Sequence, residues 1–149
     1  LASEEETLRR LVVELQVLEG TAETLQSRIS LVGAALTELR VAGATLEGLG
    51  KEERDAELFV PIGGGSYIGA RLGSVDRVVV GIGAGVAVEK TLKEARENVE
   101  NRAADLEKTR EALLQQLSQV VEKIRDGRAR LEELTARMRQ EGAGPVREA

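Results

Sequence analysis

The chain contains no histidine and no cysteine. That removes disulfides, thiol nucleophiles, Cys/His zinc sites, imidazole bases and Ser-His-Asp triads together. It also has no tryptophan, one phenylalanine and one tyrosine. The apolar 42% of its 149 residues is thus almost entirely Leu, Val, Ile and Ala, a set that packs narrow seams better than a thick core. Positive charge is the minority sign, with 21 Lys and Arg against 26 Asp and Glu and a net charge of -5. Sequence-independent nucleic-acid binding needs clustered positive charge, so no nucleic-acid partner is expected. The longest uncharged stretch, Leu58 to Ala70, is shorter than the roughly 18 apolar residues of a membrane helix and is broken by Pro61, so no membrane span is expected. The opening Leu1-Ala-Ser-Glu-Glu-Glu lacks the basic and apolar regions of a secretory signal. The expectation is a cytoplasmic protein of about one domain, neither an enzyme nor dependent on a cofactor or metal.

What the chain does have is a central stretch rich in glycine between two charge-rich arms. Eight of its 16 glycines (Gly63, Gly64, Gly65, Gly69, Gly73, Gly81, Gly83 and Gly85) fall there. In the first arm, apolar residues recur in alternating steps of three and four: Leu8, Leu11, Leu15, Leu18, Ala22, Leu25, Ile29, Val32, Leu36, Leu39 and then Leu46. That is a heptad seam, the mark of a coiled-coil helix. Ser3 and Glu6 are spaced as a capping box, and Gly48 and Gly50 read as the stop. The second arm opens on another box, Thr91 and Glu94, and carries its own seam from Leu92 through Val99, Leu106, Leu113, Val120, Ile124, Leu131 and Leu134 to Met138. Gly142, Gly144 and Pro145 close it. The expected organisation is a helix over 3–50, two hairpins for oligomerisation over 57–90 and a second helix over 91–141.

Folding the arms back on each other with Leu46 level with Leu92 brings Leu39 level with Val99, Leu18 with Val120 and Leu15 with Ile124. Two levels in this register are weak, Ile29 by Arg110 and Leu11 by Gly127. At about 1.5 Å per residue, each arm would reach roughly 65 to 70 Å.

The centre changes period. Leu58–Ile62, Ser66–Leu72, Arg77–Ile82 and Val86–Lys90 are short, rich in branched residues and separated by glycine turns, so they read as four strands in two hairpins. Alternation places Leu58, Val60 and Ile62, Ile68, Ala70 and Leu72, Val78, Val80 and Ile82, and Val86 and Val88 on apolar faces. The helices face each other, which leaves no helix to cover these faces, and an isolated hairpin is marginal in water. The strands are therefore expected to pair between subunits. Gly81-Ile-Gly83-Ala-Gly85 resembles part of a dinucleotide-binding fingerprint, but Val86 occupies its third glycine position and no helix opens there. Val12, Val13, Val17 and Val121 lie outside the seams and are candidates for an exposed apolar surface.

A long helix, two glycine-turn hairpins and a second long helix resemble the α-type subunits of the prefoldin family. The resemblance is carried by Leu58-Phe-Val-Pro-Ile-Gly-Gly-Gly-Ser-Tyr-Ile-Gly-Ala-Arg-Leu72 and Val78-Val-Val-Gly-Ile-Gly-Ala-Gly-Val-Ala-Val-Glu-Lys90, and the motifs look most like archaeal ones. It implies a mainly α fold in which a long antiparallel two-helix coiled coil is joined by two central β-hairpins that form a barrel-like body between subunits. It further implies an ATP-independent chaperone of two α and four β subunits that holds unfolded proteins and passes them to a group II chaperonin. Both chain ends would fall at the coiled-coil tip. That assigns client binding to Leu1, Leu8, Leu11, Val12, Val13, Leu131, Leu134 and Met138. Oligomer contacts would come from Leu58, Val60, Ile62, Ile68, Leu72, Val78, Val80, Ile82, Val86 and Val88. The alternative is a structural scaffold or a filament-forming relative that assembles through the same hairpins without delivering clients.

Overall fold

The structure is a computed structural model and describes residues 3–142. Helix α1 (Glu4–Lys51) is followed by strands β1 (Glu57–Gly63), β2 (Ser66–Arg71), β3 (Arg77–Gly83) and β4 (Val86–Thr91), then helix α2 (Leu92–Gly142). The mainly helical fold with two small central hairpins is the one the sequence implies. Leu1, Gly144 and Pro145 lie outside the described residues.

Each helix begins on a side-chain cap. Ser3 Oγ accepts the Glu6 N–H at 3.2 Å and Thr91 Oγ1 accepts the Glu94 N–H at 3.1 Å, each satisfying a backbone donor that the first turn leaves open, for about 1 kcal/mol. The stop expected at Gly48 and Gly50 is corrected, because α1 runs through both to Lys51. Leu92 of α2 packs over Gly50, with its Cδ2 3.1 Å from where a Cβ would stand, so packing holds the glycine helical against its weak propensity. The chain turns instead beyond the helix, where Asp55 takes a left-handed φ of 68°.

The residues group into two compact units, Leu1–Gly33 with Thr109–Ala149, and Ala34–Lys108. In the first, α1 buries Leu11, Leu15 and Leu25 and α2 buries Ile124, and an exposed ion pair joins Arg128 Nη2 to Glu19 Oε1 at 3.0 Å. In the second, Leu39 and Leu46 of α1 form one core with Ala95 and Val99 of α2 and Val80 of β3. Arg40 Nη2 meets Glu107 Oε1 at 2.8 Å on its flank. Exposed pairs of this kind add at most about 1 kcal/mol, so burial of the seams carries the packing.

The level-by-level pairing read from the sequence misplaces the side-chain contacts. Gly43 faces Val99 and Gly50 faces Leu92 in one unit, and Gly127 faces Leu15 in the other. Each α1 partner is four residues further along than the count gave. Side chains on a helix tilt towards its N-terminus and cover the turn before their own Cα, and in an antiparallel pair both tilts displace contacts in this one direction.

The hairpins are two copies of one design, 20 residues apart. In the first, Leu58 pairs with Ala70, Val60 with Ile68 and Gly63 with Ser66, and the register shifts between Pro61 and Gly63. In the second, Val78 pairs with Lys90, Val80 with Val88 and Gly83 with Val86, and the register shifts between Gly81 and Gly83. The turns match as well. Gly63, Gly64 and Gly65 take φ of 105°, 59° and 74°, while Gly83, Ala84 and Gly85 take 106°, 52° and 74°.

α1 also contains an 18-residue window of mean hydropathy 1.4, so by length and composition it meets the test for a membrane-crossing helix. That qualifies the reading from the longest uncharged stretch. Only 11% of that window is buried within the chain, Leu36 most completely. Leu31 and Val41 of the same helix are exposed.

Candidate functional site

The end of the helix pair in the first unit is less open than the sequence suggests. Leu11 is buried, and Leu8, Leu131, Leu134 and Met138 are half-buried. Both helices keep their form to Glu4 and Gly142, so the weak level expected at Leu11 does not open the pair. Thr7 and Leu11 line a cleft of about 160 Å³ with Arg130, Glu133, Leu134 and Arg137. Val12 and Val13, by contrast, are exposed, Val13 at 57%. They sit outside the seam on α1, next to charged side chains that keep the face wet.

Glu4 lies near Glu141. Its carboxyl is raised above the ordinary 4.5, first by a hydrogen bond with Glu141, then by desolvation and by the Glu141 charge, with Arg137 pulling the other way. Two carboxyls that share a hydrogen bond need a proton between them. Among the described residues no group of His, Cys, Asp or Glu is placed to hold a metal ion.

In the second unit the two hairpins differ in cover. Val80 is 9% exposed and sits in the chain's own core, whereas its counterpart Val60 is 41% exposed. The reading that no helix covers the strands is therefore corrected for the second hairpin, where the helix-helix core extends onto Val80 and Val78. Leu58, Leu72, Val78 and Val88 are half-buried. Val60, Ile62, Ile68, Ile82 and Val86 are exposed. The Gly81-Ile-Gly83-Ala-Gly85 run ends β3 and turns at Ala84 and Gly85 into β4 without opening a helix, so it lacks the geometry that binds a pyrophosphate.

The sequence reading missed the opposite faces. Phe59 pairs with Gly69 and Tyr67 with Pro61, which puts the chain's only two aromatic residues on one face of the first hairpin, at 78% and 64% exposure. Val79 holds the place of Phe59 in the second hairpin and is exposed as well. Alternation carried the signal, since odd-numbered positions of β1 and β2 share a face. Leu31, Val41 and Leu114 are exposed as well and were not among the off-seam residues named from the sequence.

Two antiparallel helices joined by twin hairpins with exposed apolar strands define a coiled-coil assembly protein. Residues 18–137 match the family described as prefoldin subunit. The chain is 36% identical over 113 residues to the prefoldin subunit alpha of Methanopyrus kandleri, covering 76% of this chain and 72% of that one. It is 35% identical over 133 residues to the prefoldin subunit alpha of Methanobrevibacter smithii, covering 89% and 90%. Among solved structures it resembles the filamentous PFD of Methanocaldococcus jannaschii, with a TM-score of 0.67, 26% identity, and coverage of 77% of this chain and 95% of that one. The chain belongs to the prefoldin family, a family of chaperones rather than enzymes.

Proposed function

We propose that this chain is the α-type subunit of an ATP-independent cytoplasmic chaperone, joined through its hairpins to β subunits in a two-α, four-β assembly. The observation that carries the reading is the uneven cover of the twin hairpins. Val80 is satisfied within the chain, while Val60, Ile62 and Ile68 are left in water. Apolar strands with open edges are an association surface. Ile82 and Val86 near the second turn extend it, and half-buried Leu58, Leu72, Val78 and Val88 complete it. A barrel-like body built from such hairpins leaves the helix pairs free. Their ends hold unfolded clients through Leu1, Leu8, Val12, Val13, Leu131, Leu134 and Met138, with buried Leu11 supporting them from beneath, and clients pass to a group II chaperonin. Holding unrelated chains calls for weak, non-directional attraction of about 25 cal/mol per Å² buried, repeated over several linked subunits.

Native mass spectrometry of the chain alone and with an archaeal prefoldin β subunit tests the assembly. A discrete hetero-oligomer that Val60→Asp with Ile68→Asp disperses supports it. A monomer under every condition would end it. The structural likeness to a filamentous relative favours a second reading, in which the chain polymerises with itself through the same hairpins. Under that reading the chain alone shows an open ladder of masses, not one closed species.

A further inference from the structure

The first unit carries a groove of about 600 Å³ between the helices, lined from Val17 to Arg28 on α1 and from Gln116 to Lys123 on α2. It lies away from the residues assigned to the end, and its chemistry is specific. Val17, Leu25 and Val120 give it apolar surface. Thr21 Oγ1 and Thr24 Oγ1 donate to the carbonyls of Val17 and Gly20 at 3.0 and 3.1 Å. Their hydroxyl hydrogens are thus committed to the helix, and what the threonines add to the groove is largely methyl surface. Gly20 keeps it wide, since a Cβ there would meet nothing within 4 Å.

The polar groups are two cations and two neutral amides, with no carboxylate among the lining residues. Arg28 and Lys123 line the groove and neither has an ion-pair partner among the described residues. In a chain of net charge -5, two unpaired cations on one groove are a local reversal of sign. Gln116 and Gln119 line it too, with amides that are not hydrogen-bonded among the described residues. An amide side chain both donates and accepts, as the backbone of an extended strand requires.

We infer that this groove binds an extended segment of unfolded polypeptide in which acidic side chains stand beside apolar ones. The apolar side chains cover Val17, Gly20 and Val120, the segment's backbone meets Gln116 and Gln119, and its carboxylates meet Arg28 and Lys123. The inference rests on the client-holding reading and adds to it a place along the arm and a charge preference. Apolar side chains alone select by hydrophobicity, whereas this groove discriminates by sign.

The test uses the full chain and two fluorescein-labelled, unstructured peptides of identical apolar content, one carrying two Asp and the other two Lys, followed by fluorescence anisotropy. Exposed charge contacts are each worth up to about fivefold in affinity, so the acidic peptide binds about tenfold more tightly, and added salt erodes that margin. Arg28→Glu with Lys123→Glu reverses the preference. Gly20→Leu fills the groove and weakens both peptides, and because the site is open and Leu favours helix over Gly, the variant retains its far-UV helicity. Equal affinity for the two peptides overturns the inference, as does a preference that survives the charge reversal or an affinity unmoved by Gly20→Leu. Concentration-dependent self-association abolished by Gly20→Leu assigns the groove to a second copy and overturns it too. Suppression of client aggregation, measured in parallel, separates the two levels. Wild-type protection with variant-insensitive peptides removes the groove alone, whereas no wild-type protection removes the client-holding reading beneath it.

Discussion

Gly127 of α2 faces Leu15 of α1 so closely that a Cβ at residue 127 would lie 2.8 Å from Leu15 Cδ2 and 3.4 Å from its Cγ. The glycine is therefore a hole shaped for a buried leucine. Replacing it by Ala gains about 1 kcal/mol of helix propensity, but forces a methyl into a filled seam, which costs roughly 1 to 3 kcal/mol.

The expected result is a change of sign. In the wild-type background Gly127→Ala lowers thermal stability, and in a Leu15→Ala background the same substitution raises it by about 1 kcal/mol. Equal effects in the two backgrounds would show that the residues do not touch.

A second expectation concerns the twin turns. Gly63 and Gly83 sit at φ of 105° and 106°, beyond the left-handed region that Ala84 occupies at 52°. Gly83→Ala should destabilise by more than about 1 kcal/mol, whereas Ala84→Gly trades relief of left-handed strain against extra unfolded-state freedom and stays within about 0.5 kcal/mol of neutral. Denaturant midpoints at unchanged m-value check both.

The end of the first unit should respond to pH. The Glu4 carboxyl is raised above 4.5 by its hydrogen bond with Glu141, by desolvation and by the Glu141 charge. A raised folded value means that the contribution is complete below the unfolded value and lost as pH rises through the folded one. The first turn of α1 is thus most firmly held in acid and loosens towards neutrality. A carboxyl carbon NMR titration of Glu4 should give a midpoint above 4.5 that falls when Glu141 is replaced by Ala. A midpoint at or below 4.5 would contradict the pairing.

Asn98 Oδ1 is buried without a hydrogen-bond partner, a state that costs about 1 to 3 kcal/mol. Asn98→Ala should therefore raise the melting temperature of the isolated chain. A lower melting temperature would mean that the oxygen is satisfied.

Much of this was written in the sequence. Heptad spacing gave both helices, period-two runs between glycine turns gave four strands within one residue at most ends, and the hairpin motifs gave the family. The misses have physical causes. Gly50 was read as a stop because propensity ignores Leu92 lying over it. Gly127 was matched to Leu11 because counting Cα levels ignores side-chain tilt. Val80 was read as uncovered because nothing local shows Leu39, Leu46, Ala95 and Val99 converging on it, while its repeat partner Val60 stays exposed. Val17 was legible as an off-seam apolar residue, but the groove escaped because Gly20 and Thr24 are unremarkable along the chain and acquire meaning only beside Gln116 and Lys123.

That difference in cover separates two charge insertions. Val60→Asp leaves the isolated chain folded and disrupts association, while Val80→Asp places an unpaired charge in the core and costs several kcal/mol in the isolated chain as well. Thermal melts of each variant alone should show a large drop for Val80→Asp and little for Val60→Asp.

Light scattering from a chemically denatured client diluted into buffer, with the chain and its β partner present and nucleotide absent, addresses the central claim most directly. The account predicts that scattering is suppressed without ATP, and that removing Leu1–Val13 together with Leu131–Ala149 weakens suppression while native mass shows the same number of subunits. Aggregation proceeding unchanged in the presence of the intact assembly would contradict it.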